Sequence, residues 1–506
     1  WPSSRSPNQA GGIIMNPMIF ESILSILPAV IVALTALIVM ITIAVKRSHF
    51  WAATLSVVGL NMALLAVISQ ALGLVPAGVS FGELFIFDGF AIFNMGVILI
   101  AALACCTLAY GYFETLQDHK DELYLIMLIS TLGAMLMTGA AHLAAFFMSL
   151  ELLSVPMYGM LAYTFLRSRS LESGLKYLIM SATASATLLM GMALIFADAG
   201  TLLFKDLARN LLIGNLSGLS VAGVVMMLAA AAFKLSAAPF HSWVSDVYEG
   251  APAPIAAFLA SVSKVAMMAL ALRFFVGSMF TAMPAFETIL IVVIVLSILM
   301  GNLLAIRQNN IKRMLAYSSI AHIGYALTAL LSIGAGSLPL VSMYMAVYAL
   351  TSIGAFGVIT LMSSPYRERG RTSISGEADD LRFYQGLFWR RPVLTAVLTV
   401  MLLSLAGIPL TAGFVTKFTI FFAAVQGMHF LAAGMIILGS AIGLYYYLRI
   451  LVNLYQKPKV NLEFDAHQHW GVKAGGVMAM IITALIVIFG VLPEAMMQMA
   501  ARAVML

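Results

Sequence analysis

Along the chain, long apolar runs alternate with short polar connectors. The runs fall near 23–45, 51–73, 89–111, 122–139, 142–164, 172–198, 217–240, 253–275, 285–306, 315–333, 338–363, 392–425, 428–456 and 473–497. A helix needs roughly 20 apolar residues to cross a bilayer. The pattern therefore predicts an all-α polytopic membrane protein of about fourteen transmembrane helices. An even number of spans puts both termini on one side of the membrane.

Two runs carry a proline at membrane depth with a lysine nearby. The seventh reads AAFKLSAAPFHSW, with Lys234 and Pro239, and the twelfth reads SLAGIPLTAGFVTKF, with Pro409 and Lys417. Proline removes a backbone hydrogen bond and interrupts a helix, and the freed carbonyls must then face protein or water. Two interrupted helices five spans apart predict two five-helix repeats, each with a broken helix. Lysine precedes proline in one and follows it in the other, which fits inverted repeats. The expected organisation is a tail at 1–14, helices 1–3 at 15–121, a first repeat (helices 4–8) at 122–284, an inverted second repeat (helices 9–13) at 285–456, and a loop with helix 14 at 457–506.

Composition agrees with lipid as the solvent. The chain is 62% apolar and only 9% charged, whereas soluble domains are about a quarter charged. The net charge of +6 is spread over short loops, so it marks topology rather than a nucleic-acid surface. Sixteen lysines and arginines lie in loops after odd-numbered spans, against five on the other side: Arg5, Lys205, Arg209, Arg273 and Arg502. The positive-inside rule then makes the odd loops cytoplasmic and both termini external. The largest loop, 364–384, is expected to be mobile or partner-binding. The segment 199–215 has apolar and charged faces at helical spacing and fits a helix lying along the membrane surface. Residues 1–14 are polar and rich in Ser, Pro and Gly; they read as a tag remnant, an upstream extension or a tail, with Met15 as a native start.

Six titratable residues fall inside the apolar runs: Glu151, Lys176, Lys234, Lys264, His322 and Lys417. Charge at membrane depth is costly and is usually functional. A chain of such groups suits proton transfer, since each hop needs a nearby acceptor. Burial disfavours an ammonium and a neighbouring carboxylate favours it, so Glu151 near Lys234 would switch that lysine between holding and releasing a proton. The structural alternative is that each charge pairs or reaches an interface; Lys176, near the start of its span, is the first candidate for that. Arg449 reads as reaching an interface, and His142 as a cap or as reaching an interface. Asp465, His467 and His469 suit either a metal or a solvated loop. Tyr445–Tyr447 suit packing or an aromatic belt, and the 34 methionines flexible helix packing. Cys105 and Cys106 are adjacent and form neither a metal set nor a disulfide framework. No phosphate-binding loop, dinucleotide fingerprint or CxxC pair is present.

The stretch FKLSAAPFHSWVSDVYEGAPAPIAAFLASVSK resembles the core of the antiporter-like subunits of respiratory complex I, which are related to Mrp-type antiporter subunits. DVYEGAPAP, SLELLSVPMYG, NNIKRMLAYSSIAHIGY, MSSPYR, GLFWRRP, SLAGIPLTAGFVTKF and GSAIGLYYYLRI resemble the bacterial subunit N form of that family, from about Met15 to the C-terminus. The resemblance implies that Glu151 and Lys234 form the family's glutamate–lysine pair. It implies that Lys264 lies on a central axis with His322, that Lys417 serves an exit half-channel, and that Lys176 is a secondary site. Lysine at 417 is the N form rather than the glutamate of subunit M, and the chain lacks the long lateral helix of subunit L. Ser245 departs from the proline usual at that position.

The expected function is proton translocation as a membrane subunit of NADH:quinone oxidoreductase, with no redox centre in this chain. NADH, flavin, iron–sulfur clusters and quinone are expected in partner subunits. The expected partners are an antiporter-like neighbour, small membrane subunits and lipids, with no nucleic acid. The implied site is the bacterial inner membrane, with periplasmic termini. The alternatives are an Mrp-type cation/proton antiporter subunit, a membrane hydrogenase subunit, and a structural membrane scaffold.

Overall fold

The computed structural model describes residues 24–76, 78, 80–114, 120–207, 217–277, 284–331, 337–363, 377–457, 464–495, 497–498 and 501. The tail at 1–14, Met15, Arg209, Arg502 and most of the 364–384 loop lie outside the described residues. So does the second half of the 199–215 segment.

Thirteen of the described helices are long and apolar enough to cross a membrane. The chain begins with α1 (Leu27–Val45) and α2 (His49–Ala71). A two-residue antiparallel hairpin follows, β1 (Ser80–Phe81) with β2 (Phe85–Ile86), in the register Ser80↔Ile86. Then come α3 (Gly89–Phe113), α4 (Glu122–Gly139), α5 (Leu143–Leu161), α6 (Ser168–Ala199), α7 (Gly218–Leu235) and the short α8 (Val244–Gly250). The next span is composite: α9 (Ala253–Phe258), a π-helical turn at Leu259–Ser263, and α10 (Lys264–Gly277). The rest are α11 (Pro284–Ile306), α12 (Ile311–Leu331), α13 (Ser337–Ser363), the short α14 (Leu387–Arg390), α15 (Pro392–Ala406), α16 (Ala412–Gln426), α17 (Phe430–Tyr455) and α18 (Ala474–Val491).

Burial sorts these helices. The α9–α10 span, α12 and α13 are buried on nearly all sides and form the centre of the bundle. Helices apolar all round belong in such a position. Around them, α1, α2, α6, α11, α17 and α18 turn apolar side chains outward, among them Leu34, Ile41, Leu65, Ile437 and Ile488. Those faces suit lipid.

Both predicted breaks are present. Helix α7 stops at Leu235, where Ser236 takes a left-handed φ of +67° and Ala237 N–H turns back to the Ala232 carbonyl at 2.8 Å. The chain does not resume as a half-span; it turns through Pro239, whose peptide bond is cis, and restarts as the seven-residue α8. Ser245 lies in the first turn of α8, where proline is also tolerated. The predicted twelfth run is two short helices, α15 and α16, separated by Gly407 (φ +83°), Pro409 and Leu410 (φ +73°).

Several peripheral expectations resolve. His142 caps α5, its Nδ1 accepting from Ala144 N–H at 3.0 Å. Arg449 donates to the carbonyls of Ile306 (2.9 Å) and Gln308, satisfying the C-terminal end of α11. Tyr446 and Tyr447 are buried and bonded to Asn302 and Ser318, while Tyr445 is exposed. Asp465 is engaged by Arg391 at 3.0 Å and Arg390 at 3.6 Å. The described end of the large loop is not mobile surface. Glu377, Ala378, Leu381 and Tyr384 are buried against the bundle.

Candidate functional site

The first group of candidate residues sits where α5, α6 and α7 meet. On α5, Glu151 and Ser154 are three residues apart and share a face; on α6, Ser181 and Ser185 are four apart and do the same. The two helices run antiparallel, so these residues form two rungs. In one, Ser185 Oγ donates to Glu151 Oε1 at 2.5 Å. In the other, Lys234 Nζ donates to Ser154 Oγ at 2.8 Å and Ser181 Oγ at 2.7 Å. Tyr158 OH meets Ser181 Oγ at 3.0 Å. Glu151 and Lys234 thus face each other across the α5–α6 serines without direct contact. No ion pair joins them among the described residues; they occupy adjacent turns with serine hydroxyls between them.

Beyond Lys234 the chain breaks and α8 packs across. Trp243 lies against Tyr177 and Phe233, with ring centroids 5.0 and 5.2 Å away. Trp243 Nε1 and Ser236 Oγ are buried without a protein partner among the described residues. Tyr248 follows on α8, its ring centroid 6.0 Å from Lys264 Nζ.

Lys264 is wholly buried and opens α10 directly after the π-helical turn. Such turns often mark functional sites in helices. Its Nζ donates to Ser319 Oγ on α12 at 2.7 Å. One turn further along α12 is His322, whose Nδ1 meets Tyr344 OH at 2.7 Å. The imidazole also lies 5.3 Å from the Tyr348 ring and 5.5 Å from the Tyr325 ring.

Lys417, on α16, reaches back across the second break. Its Nζ donates to the carbonyls of Leu405 (2.7 Å) and Ala406 (3.3 Å), which end α15. It also lies 4.8 Å from the Tyr325 ring. A small cavity with room for about one water lies between His322, Tyr344, Thr416 and Lys417.

The structure thus buries Lys234, Lys264, His322 and Lys417 inside the bundle, leaves Glu151 partly buried beside Ser185, and leaves Lys176 out. The Lys176 side chain is 40% exposed at the end of α6, paired with Glu172 (2.6 Å) and Asp246 (2.8 Å). It belongs to a charged layer at that end of the bundle. Arg313 bridges Asp246 and Glu249 there, at 3.0 and 2.6 Å. Burial pushes the Asp246 carboxyl up, but Lys176 and Arg313 outweigh it and hold it below the ordinary value. In the same layer Lys312 pairs with Glu377, which also accepts from Tyr112 and lies 3.5 Å from Arg167. Burial alone would raise the Glu377 carboxyl; the Lys312 and Arg167 charges bring it down to about 2.

Sequence reasoning missed the serines and tyrosines that hold these side chains. Helical spacing carries their signal: Ser154, Ser185 and Ser319 each lie three or four residues from a partner on the same face. Lys312 and Glu377 are separated by 65 residues and nothing local links them.

An all-helical membrane bundle with two interrupted helices and buried titratable side chains has the build of an antiporter-like membrane subunit. The family model described as NADH:quinone oxidoreductase/Mrp antiporter, TM matches residues 140–443. The chain is 58% identical to NADH-quinone oxidoreductase subunit N of Psychrobacter arcticus, covering 97% of this chain and 99% of that one. It is 46% identical to the subunit N of Ectopseudomonas mendocina, covering 96% and 97%. Among solved structures, a chain of respiratory complex I from Thermus thermophilus superposes with a TM-score of 0.78 at 27% identity, over 93% of this chain and 98% of that one. A chain of the Mrp complex from a Dietzia species superposes with a TM-score of 0.81 at 20% identity, over 96% and 97%. The chain belongs to the NADH:quinone oxidoreductase/Mrp antiporter family, as an antiporter-like membrane subunit of the subunit N type.

Proposed function

We propose that this chain carries protons through the membrane arm of an NADH:quinone oxidoreductase along the row Glu151, Lys234, Lys264, His322 and Lys417. One observation carries the reading. Lys234, Lys264 and Lys417 are buried, yet their Nζ atoms are held by hydroxyl and carbonyl oxygens. Lys176 and Lys312, at the end of the bundle, are held by carboxylates. Structural charges inside membranes pair with opposite charges. A lysine held by neutral acceptors exchanges its proton without breaking an ion pair.

In this reading Glu151 modulates Lys234 across one helical turn. Lys264 passes the proton to the second half of the bundle through Ser319 and His322, and Lys417 hands it to the far side at the second break. Lys176 is secondary and acts by holding α8. Spans 4–8 and 9–13 are the two inverted repeats, with the two short helices α15 and α16 making up the twelfth of fourteen spans. Both termini face the periplasm, as the loop charges favour. Energy comes from quinone reduction in partner subunits, which hold the flavin, iron–sulfur clusters and quinone and take up NADH; the lateral partners are another antiporter-like subunit and small membrane subunits.

The test is proton pumping by the assembled complex in inverted vesicles. Lys264→Ala is expected to assemble and to lose most pumping. Normal pumping in assembled Lys264→Ala would overturn the reading. For Lys417 alone the helix-end carbonyls also support a structural role, as a lysine closing the C-terminus of α15.

A further inference from the structure

The Lys312–Glu377 pair lies outside the row of transfer groups but touches the same two helices. Glu377 follows the large loop, yet only 5% of its side chain is exposed, and 1% of that of Lys312. Its Oε1 accepts from the backbone N–H of Ala253, the first residue of α9, at 3.2 Å. Its Oε2 accepts from Lys312 Nζ on α12, and that Nζ also donates to the Ala251 carbonyl at 2.6 Å. The carboxylate therefore closes the N-terminus of α9, where unpaired N–H groups and the helix dipole favour a negative charge. It also ties that terminus to the first turn of α12.

The same two helices meet again further along. Lys312 and Ser319 are seven residues apart, two turns on one face of α12. Ala253 and Lys264 stand at the start and middle of one continuous span. The clamp and the Lys264–Ser319 hydrogen bond are thus two contacts between one pair of helices at two heights. Two polar contacts at two heights hold the relative height and rotation of the helices more closely than one does. Lys264 follows directly on the π-helical turn, so displacement of α9 reaches it over a short irregular segment.

We propose that Glu377 is a positioning residue for proton transfer, fixing the helix that carries Lys264 against the face of α12 that carries Ser319. This rests on the reading of Lys264 as a proton carrier. Tyr112 and Arg167, the other groups on the carboxylate, hold it from α3 and the start of α6.

The experiment uses the whole complex in membranes, with assembly followed on native gels. The variants are Glu377→Asp, Glu377→Gln, Ser319→Ala, the double Glu377→Asp/Ser319→Ala, and Lys264→Ala. Glu377→Asp keeps the charge and shortens the reach by one methylene. It is expected to assemble and to lose about tenfold in pumping-linked quinone reduction, within the ~10²-fold that a misplacement of about 1 Å costs. The midpoint of its pH–activity profile is expected to move from that of the parent complex. Glu377→Gln, which removes the charge, is expected to lose more. The double variant is expected to lose less than the product of the two single losses, as for two changes acting on one contact. Parental activity with an unmoved profile in Glu377→Asp would overturn the proposal, as would multiplicative losses in the double variant. Failure of both Glu377 variants to assemble would show a purely structural clamp and overturn it too. Parental pumping in assembled Lys264→Ala would instead remove the proton-carrier reading itself, so the two failures are distinguishable.

Discussion

Lys264 Nζ donates to Ser319 Oγ across 2.7 Å, and this contact ties α10 to α12. Lys264 opens α10, and Ser319 lies one turn from His322 on α12. Ser319 Oγ in turn donates to the Ala316 carbonyl at 2.6 Å, so its lone pairs are left facing the lysine. The hydroxyl thus links an ammonium donor to a carbonyl acceptor and carries no charge of its own.

Removing that hydroxyl removes the Lys264 contact with α12. Ser319→Ala leaves a buried ammonium short of a partner, at a cost of about 1–3 kcal/mol. It is expected to reduce pumping at least tenfold while the complex assembles, and Ser319→Thr, which keeps the hydroxyl, is expected to retain most activity. Steady-state pumping in vesicles checks both, and equal activity of the alanine and threonine variants would remove Ser319 from the path.

Gly407 is expected to be irreplaceable at the second break. Its φ of +83° is one that side chains resist, and an added Cβ would lie 2.9 Å from Lys417 Cδ. Gly407→Ala then costs about 1–2 kcal/mol in backbone conformation and pushes Lys417 off the carbonyls of Leu405 and Ala406. The expected outcome is a lower melting temperature together with reduced pumping, measured by thermal unfolding in detergent and by vesicle assay.

The sequence made the spans legible because the apolar runs are long and the connectors short. Lys234, Lys264, His322 and Lys417 stood out because each is a polar residue in an apolar run. The breaks at Pro239 and Pro409 were legible for the same reason, since proline cannot complete the ladder. What stayed hidden depends on geometry between distant segments. That Ser185 holds Glu151 while Ser154 and Ser181 hold Lys234 is set by how three helices meet, which no local pattern shows. Lys312 counted as a loop charge because it begins a helix, and only folding brings Glu377 to it. Lys176 looked interior because the apolar run extends past it, while α8 offers Asp246 at the bundle's end.

The Glu377 cluster predicts an acid-sensitive contribution to stability. The folded carboxyl is held at about 2, below its ordinary 4.5, so the contribution is fully present above about pH 4.5 and is lost as pH falls toward 2. Thermal unfolding of the detergent-solubilised complex over that range is expected to show a slope that Glu377→Gln removes. An equal slope in the variant would place the acid sensitivity elsewhere.

The odd-numbered loops are expected to face the cytoplasm. A single cysteine at Ser373 should stay unlabelled by an impermeant thiol reagent in intact cells and become labelled in inverted vesicles. The native Cys105 and Cys106 are buried and give little background. Labelling from outside would reverse the orientation and exchange the two sides of the proton path.

The most direct measurement is the ranking of two substitutions at Lys234, which is held by Ser154 and Ser181 rather than by Glu151. A proton carrier must release its proton, and arginine does not do so at physiological pH. Quinone-reductase activity and proton pumping are measured in membranes holding Lys234→Ala or Lys234→Arg, with assembly checked on native gels. The account predicts that both assemble and both lose most pumping, arginine included. Near-parental pumping in Lys234→Arg, with failed assembly in Lys234→Ala, is the pattern of a structural charge and would contradict it.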